Sequence, residues 1–127
     1  MTQQAMANSY LSDAVFTASP QRLVVMLYDR VLLDFDRAQS AIAAHDHSAA
    51  HNALVHAQDI VAELRATLDV EIWPVGEALV AIYDFVLRQL VEANLRKETR
   101  FVVECRDLLA PLRDTWREIA GLGAAST

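Results

Sequence analysis

Glycine and proline are scarce in this chain of 127 residues, which has three of each. Those two residues supply most turns, and an all-β fold needs a turn roughly every dozen residues, so the shortage argues against β structure. Apolar residues make up 54% of the chain, which is too many for a disordered protein. The composition therefore indicates one helical globular domain with, at most, a tail.

Basic residues and cysteine are also in short supply. Eleven Lys and Arg stand against seventeen Asp and Glu, which gives a net charge of −6. A face that binds nucleic acid needs excess positive charge, so we do not expect nucleic acid as a partner. The single Cys105 cannot form an internal disulfide, which is typical of a cytosolic protein. Its position in an apolar stripe predicts a small core residue rather than a nucleophile.

Long apolar runs are absent from the sequence. The longest, residues 23–28, is far shorter than the roughly 20 residues that cross a membrane. The first residues also lack the basic and apolar regions of a signal peptide. We therefore expect no membrane insertion and a cytoplasmic location.

Apolar residues that recur at steps of three and four predict four amphipathic helices. Ser19 and Pro20 suit the cap and first position of the first helix, and Ser48 is a plausible cap for the second. Pro74 suits the start of the third, and Pro111 predicts a kink inside the fourth. The predicted helices span residues 19–44, 48–68, 74–93 and 99–120. The predicted core seam of the second helix is Ala50, Leu54, Ala57, Val61, Leu64 and Leu68, and the predicted core stripe of the fourth is Phe101, Cys105, Leu108, Leu112, Trp116 and Ile119.

Short connections between these helices predict an all-α, antiparallel four-helix bundle over residues 19–120. Residues 1–18 show little periodicity and are interpreted as a mobile or helical N-terminal leader, and residues 121–127 as a flexible tail. A three-helix bundle with a loosely attached fourth helix is the alternative architecture.

Two of the predicted helices carry more apolar residues than one core needs. Met26 and Leu33 lie opposite the core stripe of the first helix, and a second stripe on the third helix is flanked by Tyr83. Exposed together, such residues would form a groove for another chain. The predicted partner-binding residues are Tyr10, Leu11, Val25, Met26, Leu32, Leu33, Ile60, Val80, Tyr83, Leu87 and Val91.

The apolar surplus also fits a bundle that buries these side chains itself. A splayed or dimeric bundle would cover them, and a self-associating structural or regulatory bundle is the alternative function. An enzyme is less favoured, because the sequence has no glycine-rich phosphate loop and no paired Glu-x-x-His motif. His47 and His51 have metal-ligand spacing but lie at a predicted turn, so we expect no metal or cofactor. Asp29 and Asp84 each follow a tyrosine and are predicted to hydrogen-bond to neighbouring helices.

Several stretches, in this order and spacing, are similar to those of one family. They are Thr17-Ala18-Ser19-Pro20, Met26-Leu27-Tyr28-Asp29, His56-Ala57-Gln58-Asp59-Ile60-Val61, Ile82-Tyr83-Asp84-Phe85, and Leu108-Leu109 with Arg113 and Trp116. Over about residues 10–117 the chain resembles the flagellar secretion chaperone family (FliS). Two departures from the family are Arg30, where a glycine is usual, and residues 71–76, where the family often has a Gly-Gly loop.

The resemblance implies a helical bundle without enzymatic activity. It implies that the disordered C-terminal segment of flagellin wraps the bundle, that premature filament assembly is blocked, and that the complex is presented to the flagellar export gate. Tyr10 matches the position of the leader tyrosine in that family, so the leader is expected to cover part of the groove until cargo displaces it.

Overall fold

The structure of the protein, a computed structural model, describes residues 19–68 and 76–123. Four α-helices lie within these ranges: α1 is Pro20–Ala43, α2 is His47–Ala66, α3 is Gly76–Arg96 and α4 is Thr99–Ile119. The predicted all-α fold is therefore confirmed. The predicted leader, the connection before α3 and the end of the predicted tail lie outside the described residues.

Both ends of α1 follow from local chemistry. Ser19 Oγ accepts the N–H of Arg22 at 3.2 Å, which confirms the predicted cap, and Pro20 is the first helical residue. At the other end, the N–H of Asp46 donates to the carbonyl of Ala41, and His45 adopts a left-handed φ of 56°. This Schellman arrangement reverses the chain without a glycine.

The start of α2 differs from the prediction. The Asp46 carboxylate accepts the N–H of Ala49 at 3.1 Å, so the helix begins at His47. The prediction that Ser48 caps α2 is wrong. The Asp46 carboxylate already accepts a free N–H group at the start of the helix, that of Ala49, and Ser48 lies inside the first turn. Asp46 therefore both closes α1 and opens α2.

Each helix packs against the next, and α4 packs back against α1. Between α2 and α3, Arg65 contacts Asp84 while His51 contacts Asn94. Residue numbers rise along one helix as they fall along the other, so the two helices are antiparallel.

The pairing of α4 with α1 closes the bundle. Arg113 contacts Asp29 and Arg106 contacts Asp36, which again gives an antiparallel pair. Because α4 packs against both α1 and α3, the alternative of a three-helix bundle with a loose fourth helix is excluded. The protein is an antiparallel four-helix bundle, as predicted.

The core runs along the bundle axis and receives side chains from all four helices. The predicted seam of α2 is confirmed by the burial of Ala50, Leu54, Ala57, Val61 and Leu64. The largest fully buried side chains elsewhere include Tyr28, Phe35, Tyr83, Leu90 and Leu109.

The buried stripe of α4 differs in part from the prediction. Cys105 is buried as expected, but Leu108 and Ile119, which the pattern placed in the core, are 36% and 55% exposed. Leu109 is buried instead. Adjacent positions are about 100° apart on a helix, so the 3.6-residue period alone does not choose between Leu108 and Leu109. Packing against both α1 and α3 makes that choice.

The second half of α4 contains Pro111, and the helix is continuous from Thr99 to Ile119. The predicted kink stays a prediction. The helix ends in a second Schellman arrangement, in which the N–H of Leu122 donates to the carbonyl of Arg117 and Gly121 has a φ of 74°. The first residues of the predicted flexible tail therefore cap α4.

Candidate partner-binding surfaces

Groups that could support catalysis are few in the part of the chain that the structure describes. No cluster of three His, Cys, Asp or Glu side chains capable of holding a metal lies within residues 19–68 and 76–123. The Cys105 thiol is buried and faces the Val86 carbonyl at 3.8 Å. Burial, with a smaller contribution from the charge of Glu104, raises the pKa of Cys105 to about 12. That thiol is a core group and not a nucleophile.

Two aspartates that the sequence pattern singled out do bridge helices, as predicted. Asp29 accepts a hydrogen bond from Arg113 at 3.1 Å, and Asp84 accepts one from Arg65 at 2.6 Å. The Arg65 hydrogen bond lowers the pKa of Asp84. Both pairs are accessible to solvent, so each is expected to contribute little to stability.

A pocket of about 820 Å³ lies between α1 and α2. The side chain of Asp34 is 2% exposed there, and its carboxylate lies 2.5 Å from His56 Nδ1 and 3.7 Å from Arg30 Nε. No buried side-chain nitrogen or oxygen lacks a partner among the described residues. The pocket therefore holds a paired carboxylate that links the two helices.

The partner-binding residues predicted on α1 lie in two environments. Val25 and Leu32 are buried, so their side chains are not open to a partner in this structure. Met26 is half-buried, and Leu33 is 40% exposed. We call Met26 and Leu33 the α1 surface. It lies on the α1 side that carries Asp29 and Asp36, the residues that α4 arginines contact.

The residues predicted on α3 divide in the same way. Tyr83 is buried, Val80 and Leu87 are half-buried, and Val91 is 44% exposed. On α2, Ile60 is buried in the core. Tyr10 and Leu11 lie outside the described residues.

The exposed part of α3 faces an apolar residue that the sequence pattern did not reveal. Val55 on α2 is 38% exposed. The antiparallel register set by the Arg65–Asp84 and His51–Asn94 contacts places it opposite Val91. We call Val55, Leu87 and Val91 the α2–α3 surface. Val55 escaped prediction because it lies outside the α2 core seam, and only the register of α2 against α3 brings it level with Val91.

Tyr83 was predicted to contact a partner, but its hydroxyl lies 2.5 Å from that of Tyr28 inside the core. Burial raises the pKa of both phenols. A hydrogen bond from Trp116 to Tyr28 acts in the opposite direction on the pKa of Tyr28. Tyr83 therefore links α3 to α1 inside the core, and its side chain is not open to a partner in this structure.

The helices of the described residues are too short or too polar to cross a membrane. The fold places the protein in the class of antiparallel four-helix bundles. A family model described as "Flagellar protein FliS" matches residues 1–122. The chain belongs to the FliS family, which confirms the resemblance seen in the sequence.

Three curated relatives carry the name flagellar secretion chaperone FliS. The Bacillus subtilis protein is 33% identical over 110 residues, which cover 87% of this chain and 82% of the relative. The Escherichia coli protein is 34% identical over 117 residues, covering 91% and 86%. The Salmonella typhimurium protein is 32% identical over 119 residues, covering 92% and 88%.

A solved structure shares the fold. A crystal structure described as a flagellar chaperone from bacteria aligns with a TM-score of 0.74, covering 93% of this chain and 97% of that one. The two sequences are 18% identical, so this likeness concerns the fold alone.

Proposed function

We propose that this protein is a cytoplasmic flagellar export chaperone that binds the disordered C-terminal segment of flagellin. It prevents premature polymerisation and delivers flagellin to the flagellar type III export apparatus. Membership of the FliS family carries this proposal, and the exposed apolar surfaces supply its physical basis. The protein acts by binding and not by catalysis.

The two surfaces suggest how a single segment would bind. The α1 surface and the α2–α3 surface belong to different sides of the bundle, because α1 and α3 occupy opposite corners. One straight helix does not reach both. A disordered segment can wrap around the bundle and form helical turns where it meets apolar side chains. Ordering the segment costs several kcal/mol, which keeps the complex reversible enough for release.

The leader supplies a second element of the proposal. Residues 1–18 carry Tyr10 and Leu11 among small polar residues. We propose that this segment covers apolar surface when cargo is absent and that cargo displaces it. Such competition weakens the apparent affinity by the fraction of time for which the surface is open. Deleting residues 1–15 is then expected to tighten flagellin binding and to increase self-association of the free protein.

Binding of a flagellin C-terminal fragment, measured by isothermal titration calorimetry, tests the main proposal. Val91→Asp and Leu33→Asp each place a charge on a proposed contact and are expected to weaken binding about tenfold or more. Because both side chains are exposed, helicity and melting temperature should hardly change. Val103→Asp, at a similarly exposed position on α4, is the matched control.

Two results would count against the proposal. Equal affinity for the parent protein, Val91→Asp and Leu33→Asp would remove the apolar surfaces from the binding site. A dimer of the free protein that Val91→Asp converts to a monomer would favour the alternative of a self-associating bundle, since the surface would then bind a second copy. Calorimetry measures the first result, and light scattering on the purified chain measures the second.

A further inference from the structure

A third apolar surface lies between α3 and α4, where the sequence pattern predicted core. Phe85 is 36% exposed, Leu108 is 36% exposed and Ile119 is 55% exposed. Half-buried Ile82 and Leu112 pack against the core nearby. We call Phe85, Leu108, Pro111 and Ile119 the α3–α4 face, because the exposed ring of Pro111 lies one turn beyond Leu108.

The register of the two helices brings these side chains together. Gln89 donates a hydrogen bond to Glu104, and the Cys105 thiol faces the carbonyl of Val86. This antiparallel pairing places Phe85 opposite Leu108. From Leu108 to Ile119 the axial rise is about 16 Å, or three helical turns. The face is therefore long enough for a short helix.

Polar contacts cover one half of this interface and leave the other half open. Near the turn between α3 and α4, Arg96 and Arg100 lie 5.9 and 4.5 Å from the centre of the Phe101 ring. The Gln89–Glu104 hydrogen bond follows along the interface. The buried contact of the Cys105 thiol with the Val86 carbonyl comes next. Beyond it, no hydrogen bond or ion pair joins α3 to α4 among the residues that the structure describes, although apolar side chains are exposed there.

The rim of this open half is acidic. Asp107 and Glu118 are exposed, and neither side chain forms an ion pair or hydrogen bond within residues 19–68 and 76–123. Pro111 has no N–H to donate to the Asp107 carbonyl, so a backbone acceptor is also left without its usual helical donor. The exposed cation beside Phe85 is Arg88, which acts on the Asp84 carboxylate.

We propose that the α3–α4 face docks an amphipathic helix of a second partner, in which Lys or Arg residues flank the apolar stripe. The apolar stripe covers Phe85, Leu108 and Ile119, and the basic residues meet Asp107 and Glu118. A second copy of this chain is a poor occupant, because a symmetric contact would bring the same carboxylates together. The face is separate from the surfaces proposed for flagellin, so both partners bind at once.

A designed peptide of about 14 residues, with a leucine stripe flanked by lysines, is the probe. Its binding is measured by fluorescence anisotropy at low salt, beside a version in which glutamates replace the lysines. The lysine peptide is expected to bind at least about tenfold more tightly, and added salt should reduce the difference. Ile119→Asp, at a well exposed position, should weaken binding about tenfold, with Val103→Asp as control.

A charge exchange tests the rim. Asp107→Lys with Glu118→Lys should reverse the preference, so that the glutamate peptide binds more tightly. Asp59→Lys with Glu63→Lys makes the same change in net charge on α2 and is the matched control. If the two double variants have equal effects, the preference for the lysine peptide arises from the overall negative charge of the protein, and the proposal is overturned.

Simultaneous binding separates this proposal from the flagellin proposal. With a flagellin C-terminal fragment bound, the lysine peptide should bind with unchanged affinity. Val91→Asp should lower the affinity for the flagellin fragment and leave the affinity for the lysine peptide unchanged. Competition between fragment and peptide would assign the α3–α4 face to flagellin and overturn a separate partner. If the fragment does not bind but the peptide preferences persist, the flagellin proposal fails and this one stands.

Discussion

The hydroxyl groups of Tyr28 and Tyr83 lie 2.5 Å apart in the core and join α1 to α3 across the diagonal of the bundle. Their ring centroids are 6.5 Å apart, with an angle of 55° between the planes. Trp116 donates to the Tyr28 oxygen, so the Tyr28 hydroxyl is free to donate to Tyr83. Three helices are therefore joined by one buried polar chain.

Replacing either tyrosine with phenylalanine should destabilise the bundle by about 1–3 kcal/mol, because a buried hydroxyl loses its partner. Tyr28→Phe should cost more than Tyr83→Phe, since it also leaves the Trp116 N–H without its acceptor. The double variant should cost less than the sum of the two. Urea unfolding of the four proteins measures this coupling, and strict additivity would contradict it.

Alkaline pH should weaken the fold through the same pair. Burial raises the pKa of both phenols, whereas tyrosines in the unfolded chain ionise near pH 10. Below about pH 10 both states keep their protons and the stability is fully present; above it, the unfolded chain releases protons that the folded chain retains. The free energy of unfolding, followed from pH 8 to about pH 11.5, should fall less steeply in the double phenylalanine variant.

Cys105 should be unreactive in the native protein. Its raised pKa and its burial remove both the thiolate and the access that a thiol reagent needs. Ellman's reagent at pH 8 is expected to react at least about a hundredfold more slowly with the folded protein than with protein in guanidinium chloride. Because the chain has one cysteine, the absorbance change reports this site alone. Fast reaction in native buffer would show that the α3–α4 interface opens readily.

His45→Gly should stabilise the protein by about 0.5–1 kcal/mol. His45 has a φ of 56°, a conformation that costs a residue with a Cβ and costs glycine little. His47→Gly is the control: His47 is the first residue of α2, where glycine brings no such relief. Thermal melting should rise for the first variant and stay level or fall for the second.

His56→Ala should destabilise the protein by about 1–3 kcal/mol, because it leaves the buried Asp34 carboxylate with Arg30 alone at 3.7 Å. His51→Ala removes a histidine that bonds the side chain of Asn94 at an exposed site, and should cost less than about 1 kcal/mol. Removing Asp34 together with His56 should recover part of the loss. Equal costs for the two histidine variants would mean that the buried carboxylate does not depend on His56.

A local sequence signal determined where α1 begins. Ser19 with Pro20 predicted that start, because caps and proline act within a few residues of chain. The α4 helix begins at the predicted Thr99, although Glu98 before it forms no side-chain cap hydrogen bond. The α2 cap was misassigned for the same local reason, since two candidate caps, Asp46 and Ser48, lie within one turn. Family membership also followed from short stretches in a fixed order.

The sequence by itself determined that this chain forms four helices, each with an apolar side, since the 3.6-residue period is a property of the single helix. Only the tertiary structure decided the rotation of each helix about its axis. Neighbouring positions differ by about 100°, so Leu32 or Leu33, and Leu109 or Leu108, could each have faced inward. Packing against two flanking helices buried Leu32 and Leu109 and exposed the others. Which apolar side chains stay exposed is consequently set by contacts between residues far apart in the chain.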